Sequence, residues 1–177
     1  DAQGIPNNTI TYYTPSALAG TYEYVGEVTA VELKFRGEIL AQSEKASGAL
    51  DVVLHVSDET FNRASYSAVS GSRTLYPLQN GLYQTDNLRE RTSSAMVKDG
   101  IGFSIDVNPL FDTQRTYLRI HPDGGLPGTE GCIGLTGDGR TLSEFKTLMS
   151  SYYSIYSKIP LEVGIDGNGN HEKQINH

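Results

Sequence analysis

Between Val28 and Arg36 the chain alternates strictly in its second half: Val31, Leu33 and Phe35 are apolar, while Glu32, Lys34 and Arg36 are charged. A period of two places the apolar set on one face of a β-strand and the charged set on the other. Strand-like segments recur at Leu50–Val56, Ser65–Ser70, Ala95–Val97, Gly102–Val107, Thr116–Ile120 and Ile159–Ile165. Eleven Tyr, no Trp and 19 Gly point the same way, to β structure with many turns. The expectation is a mainly β (β-rich α+β) fold with one main helix.

That helix is expected from residue 141. Thr141-Leu142-Ser143-Glu144 reads as a capping box. Leu142, Phe145, Leu148, Met149 and Tyr152 then share one face at helical spacing. The segments between strands carry turn signals. Residues 1–20 read as an irregular arm, Asn80-Gly81 marks a hairpin or broad loop within 75–83, residues 86–94 read as a solvated loop, and Asn108-Pro109 breaks a strand. His55 reads as a structural histidine on a strand face. The tail Asp166-Gly167-Asn168-Gly169-Asn170-His171 lacks the glycine and terminal glutamate of a calcium loop and reads as flexible. The 177 residues suit one domain, with an N-terminal arm over 1–27, the main domain over 28–166 and a tail over 167–177.

Composition excludes several classes of function. A formal net charge of −7 without a Lys/Arg cluster argues against a nucleic-acid or anionic-membrane partner, since either needs a basic footprint. No apolar run approaches the roughly 20 residues that span a bilayer, so membrane insertion is not expected, and the N-terminal residues lack signal-peptide character. With one cysteine there is no internal disulfide and no Cys-rich zinc site. No cofactor or metal is expected.

That cysteine, Cys132, follows His121 across a glycine-rich spacer. A thiol attacks as its thiolate, and a free pKa near 8.5 leaves only a few per cent ionised at neutral pH, so a catalytic cysteine needs a base or cation close by. His121, at the end of the Thr116–Ile120 strand, is the candidate base. Gly131 allows a substrate carbonyl close to the backbone, with N–H groups around 131–132 as an oxyanion hole, and Thr129 adds a hydroxyl. The imidazole tautomer needs an acceptor; a backbone carbonyl is favoured over Asp123, the nearest carboxylate. Arg89, Arg91, Arg115 and Arg119 are candidates to meet a substrate carboxylate. The Gly124-Gly125 and Gly137-Asp138-Gly139 clusters lack the residues of a phosphate loop, and no Gly-x-Ser-x-Gly turn is present.

His121, the spacer and Thr129-Glu130-Gly131-Cys132-Ile133 together resemble the L,D-transpeptidase catalytic motif, a histidine followed by Ser/Thr-x-Gly-Cys-Ile/Val. Ala68-Val69-Ser70-Gly71 and Leu78-Gln79-Asn80-Gly81-Leu82-Tyr83 resemble segments that flank the cleft in that family, so the likeness covers roughly residues 28 to 166. Glu130 stands where a second histidine is usual, and Gly134 where an arginine is usual. These departures resemble the L,D-transpeptidase-like effectors that bacteria inject into rivals.

The resemblance implies a β-sandwich with one main helix after the cysteine. It also implies acyl transfer on peptidoglycan tetrapeptide stems, as L,D-carboxypeptidase, D-amino-acid exchange or L,D-transpeptidase, with Cys132 as nucleophile, His121 as base, and Gly131, Thr129, Glu130 and Asp123 around the oxyanion and substrate. Implied partners are peptidoglycan stem peptides and a cognate immunity protein, and the implied place of action is the periplasm or cell envelope after secretion. Two rival readings are a non-catalytic peptidoglycan-binding or interaction domain on the same fold and a phage-type cysteine lysin cutting another cell-wall amide.

Overall fold

A computed structural model describes residues 9–124 and 132–172. The alternation first seen at Val28 belongs to a longer strand, β2 (Tyr22–Ile39), which pairs with β1 (Thr11–Pro15) through its first residues and with β3 (Ala46–Val56) from Val28 onward. Part of the expected arm is therefore a hairpin. Tyr12 and Tyr13 favour strand, and Pro15 is tolerated at the end of an edge strand, where its missing N–H is not needed. Gly26 lies where the two pairings meet, and a Cβ there would come within 2.8 Å of Val56 Cγ1.

The remaining strands are β4 (Glu59–Ser70), β5 (Gly81–Glu90), β6 (Val97–Lys98), β7 (Ile101–Pro109), β8 (Arg119–Pro122), β9 (Ile133–Leu135) and β10 (Ile159–Asp166). They are ordered β2-β10-β5-β7-β8-β9-β4-β3, and β3 pairs back onto β2, so the sheet closes into a barrel with β1 and β6 attached outside the ring. Among the described residues the fold is mainly β with one α-helix, as expected. The two walls expected of a sandwich are parts of one continuous sheet, because β2 takes β10 on one side and β3 on the other and leaves no edge at that seam.

Two loop expectations are overturned by β5. Residues 86–90 are strand, paired to β7 through Asp86↔Asp106, Arg89↔Ser104 and Glu90↔Phe103. Their charged side chains concealed the alternation; Tyr83 and Thr85, earlier in the strand, are fully buried. β7 also runs through the expected break, ending on Pro109, which pairs with Tyr83. In contrast, residues 116–118 are not strand, and β8 begins only at Arg119.

The one helix, α1 (Gly139–Tyr153), starts earlier than expected. Asp138 is its N-cap, with its carboxylate accepting from Thr141 N at 2.9 Å. This corrects the capping box: an aspartate already occupies the cap, which places Thr141 inside the first turn. Leu142, Phe145, Met149 and Tyr152 are buried and Leu148 is half-buried. Phe145 sits between Phe103 and Tyr66, with ring centroids at 5.6 and 4.9 Å, and so joins the helix to the barrel core.

The tail is docked through His171. Asn168 Nδ2 donates to Leu78 O and Asn80 Oδ1, Asn80 N donates to Asn170 Oδ1, and His171 stacks on Tyr76 at 3.6 Å. The flexibility expected from residue 167 therefore does not hold for 167–171: asparagine amides there satisfy backbone groups of the 76–80 loop that no strand pairs.

Candidate active site

The site is built on two short parallel strands. In β8 and β9, Ile120 pairs with Ile133, His121 with Gly134 and Pro122 with Leu135. Ile120, Ile133 and Leu135 belong to the hydrophobic core. Side chains alternate, so Arg119 and His121 on β8, and Gly134 with Cys132 just before β9, face outward from the barrel together. Cys132 is two residues before the partner of His121, and ordinary strand spacing and rise put their Cα atoms about 8 Å apart, on one face. That gap is comparable to the combined length of an imidazole and a thiol side chain. Val69, which pairs with Gly134, is buried on this same outer face.

His121 is 7% exposed, and its Nδ1 lies 2.7 Å from Pro122 O. A carbonyl only accepts, so in this bond Nδ1 carries the hydrogen and Nε2 presents its lone pair. Burial pushes the imidazole below its ordinary pKa; the Pro122 hydrogen bond and the Asp123 carboxylate oppose the shift, and Arg119 adds to it. The carbonyl favoured over Asp123 as the acceptor at Nδ1 is thus in place. Asp123 acts on the ring through its charge. Its own N–H continues the ladder to Leu135 O at 2.9 Å.

Cys132 is 9% exposed, and its thiol donates to Tyr117 O at 3.7 Å. Tyr117 has φ +58°, in the left-handed region that a tyrosine rarely adopts, while its side chain is 82% exposed. Its carbonyl holds the thiol, while its ring lies 5.9 Å from the Arg119 guanidinium. Two residues earlier Arg115 is buried, donating to Pro77 O at 2.6 Å and to Tyr76 O and His171 O at 3.3 Å each. Desolvation lowers its pKa, and the charges of Tyr83 and Cys132 act in the opposite direction. A buried guanidinium whose described partners are neutral carbonyls is a standing attraction for a thiolate.

The other three arginines cluster on β5, its C-terminal extension and β8. Arg89 Nη1 is 3.0 Å and Arg119 Nε 3.8 Å from the Asp106 carboxylate, and Arg91 Nε donates to Ser104 Oγ at 2.8 Å. Thr129, Glu130 and Gly131, expected around the oxyanion, lie outside the described residues. The start of the spacer is held by close packing: a Cβ on Gly124 would meet Val97 O at 2.2 Å and Ser94 O at 2.6 Å. Lys98 Nζ donates to Thr136 O, and Asp99 Oδ2 accepts from Gly139 N, so the β6–β7 turn also fixes the segment after β9. The part played by Arg115, Tyr117 and the 97–99 turn has no local sequence signal, because it arises from backbone carbonyls brought together by the barrel.

No group of three or more His, Cys, Asp or Glu able to hold a metal ion occurs among the described residues. His55 pairs with Glu32 at 3.4 Å on the face of β3, which β4 separates from β9. No helix among the described residues is long and apolar enough to cross a membrane.

No protein-family model matches this chain, and no curated protein matches its sequence. The reading of the site therefore rests on its own geometry and on the motif around Cys132.

Proposed function

We propose that the protein is a cysteine acyl-transfer enzyme of L,D-transpeptidase type, acting on the bond between the L-centre of meso-diaminopimelate and the terminal D-alanine of a peptidoglycan tetrapeptide stem. The observation that carries this reading is the placement of His121 on β8 and Cys132 immediately before β9, two residues ahead of Gly134, the strand partner of His121, with the imidazole held in the tautomer a base requires.

In the first half-reaction Cys132 gives its proton to His121 Nε2, and its sulfur adds to the scissile carbonyl. The tetrahedral intermediate collapses as the C–N bond breaks, His121 returns the proton to the departing D-alanine nitrogen, and a thioester remains. Arg115 favours the thiolate before attack. Backbone N–H groups at Gly131 and Cys132 are the proposed oxyanion donors. In the second half-reaction water or a D-amino acid adds to the thioester, gives its proton to His121 and releases the Cys132 thiol, which yields hydrolysis or exchange; an amine on another stem yields a cross-link. Action in the bacterial envelope, as an antibacterial effector with a cognate immunity protein, belongs to the same proposal.

The test is mass spectrometry of digested sacculi and purified muropeptides incubated with the protein. Loss of a single D-alanine from tetrapeptide stems, abolished in Cys132→Ala with the circular dichroism spectrum unchanged, is the expected result. Release that persists in Cys132→Ala would refute the mechanism. Cleavage at another amide would move the protein to a lysin-type activity, and no cleavage to a binding role.

A further inference from the structure

Asp106 stands alone among three guanidiniums on the outward face of β5, β7 and β8. Asp106 pairs with Arg119 across the β7–β8 ladder, and Arg89 pairs with Ser104 across the β5–β7 ladder. Ile105 points into the core, so Ser104 and Asp106 stand on the outer face with Arg119 and His121. Asp106 accepts from Arg89 and Asn87 and lies 3.8 Å from Arg119; among the described residues no other carboxylate is within ion-pair distance of these arginines. Arg91 makes its described side-chain bond to a neutral hydroxyl, that of Ser104. Three guanidiniums share the one carboxylate of Asp106 on a chain whose net charge is −7, with Asp123 a further carboxylate on the other side of His121.

The cluster is close enough to repel itself. Arg91 is pushed below its ordinary pKa first by desolvation and then by Arg89 and Arg119, with Asp106 acting against them. Arg119, two residues before His121 on the same strand and face, is also felt by the imidazole. Partly buried guanidiniums that outnumber the carboxylate they share, beside a base, suit an anionic ligand.

We infer that Arg91 and Arg119, steadied by Asp106 and Ser104, bind the free carboxylate of the leaving amino acid. This rests on the acyl-transfer reading above. In an amino acid the amine and the carboxylate are separated by a single carbon. Arg119 and Asp123 flank His121, two residues to either side. The nitrogen that His121 protonates therefore brings its carboxylate within reach of both, and of the two only Arg119, with Arg91 behind it, attracts it. The site so arranged is exo-acting: it recognises a chain end, and it disfavours a peptide continued beyond the cleaved bond. The same contacts hold an incoming free D-amino acid in the reverse direction, which favours exchange and hydrolysis over cleavage within a cross-link.

The experiment compares release of the terminal residue from a tetrapeptide stem ending in free D-alanine and from the same stem ending in D-alanine carboxamide. The wild-type protein is expected to favour the free acid by about 10- to 100-fold in kcat/KM, the range of a charge-assisted contact. Arg91→Gln and Arg119→Gln are each expected to shrink that ratio, and Arg91→Lys to retain more of it than Arg91→Gln. Equal rates on acid and amide by the wild type would overturn the inference while leaving the acyl-transfer reading intact, and need no variant to be folded. An unchanged ratio in both Gln variants would overturn the assignment to these arginines. Release from neither substrate by the wild type would overturn the acyl-transfer reading and this inference together.

Discussion

His121 Nδ1 and the carbonyl oxygen of Pro122 lie 2.7 Å apart, so the imidazole is oriented by the residue that follows it in its own strand. That carbonyl also accepts from Gly124 N at 2.9 Å. One oxygen thus sets both the tautomer of the base and the first turn of the spacer.

Because burial holds the His121 pKa below its ordinary 6.5, the neutral base persists into mildly acidic solution. The acid limb of kcat/KM is expected to have its midpoint below pH 6.5, read from D-alanine release between pH 4.5 and 8. The folded state binds this proton less readily than the unfolded chain. The contribution to stability is therefore present above pH 6.5 and is lost as pH falls through the depressed folded value. Urea titrations of the wild type and His121→Gln should show a smaller pH dependence of stability in the variant over that window.

Arg115→Met keeps much of the side chain's bulk and removes its charge. The carbonyls of Tyr76, Pro77 and His171 lose their donor, for an expected loss of about 2–3 kcal/mol in stability by chemical denaturation. Removal of a cation also raises the thiol pKa, so the rate of Cys132 alkylation at pH 7 should fall and its pH profile should move to higher pH.

Asp138 and the expected capping box make opposite predictions. Asp138→Ala should lower the thermal midpoint by a few degrees, whereas Glu144→Ala should leave it nearly unchanged. Its hydrogen bonds to Thr141 hold the Asp138 carboxyl below its ordinary range, so the cap's contribution is present above the usual aspartate pKa and fades as pH falls through the depressed one. Thermal melts at pH 7 and pH 2.5 should show the effect of Asp138→Ala shrinking at the lower pH.

Asn80 ties the tail to the barrel: its side chain bonds Ile165 N, Ile165 O and Asn168 Nδ2, and its backbone N–H bonds Asn170. Asn80→Ala should release residues 167–171, read as faster proteolytic cleavage in that segment with the barrel resistant. Since His171 O is one of the carbonyls on Arg115, thiol reactivity should change in the same variant.

Where apolar residues alternate, as in β2 and β10, the strands were legible in the sequence, and so was the apolar face of α1. β5 was not, because its outward residues Gln84, Asp86 and Arg89 carry the same polar character as a loop, and the burial of Tyr83 and Thr85 becomes visible only once β7 and β10 flank them. The site divides in the same way. Cys132 and His121 stand out by rarity and spacing, whereas Arg115 looks like any other arginine until the fold surrounds it with carbonyls.

At β8 and β9 the residues that hold the barrel and those that face outward strictly take turns: Ile120 then His121, Ile133 then Gly134 then Leu135. Each set can change in evolution without disturbing the other. On the proposed acyl-transfer activity, replacement of Gly134, Arg119 or Val69 would redraw which leaving group or acceptor is admitted, while the isoleucines and the leucine keep the frame at constant shape. Selectivity on such a ribbon is free to drift on a scaffold that does not feel the drift.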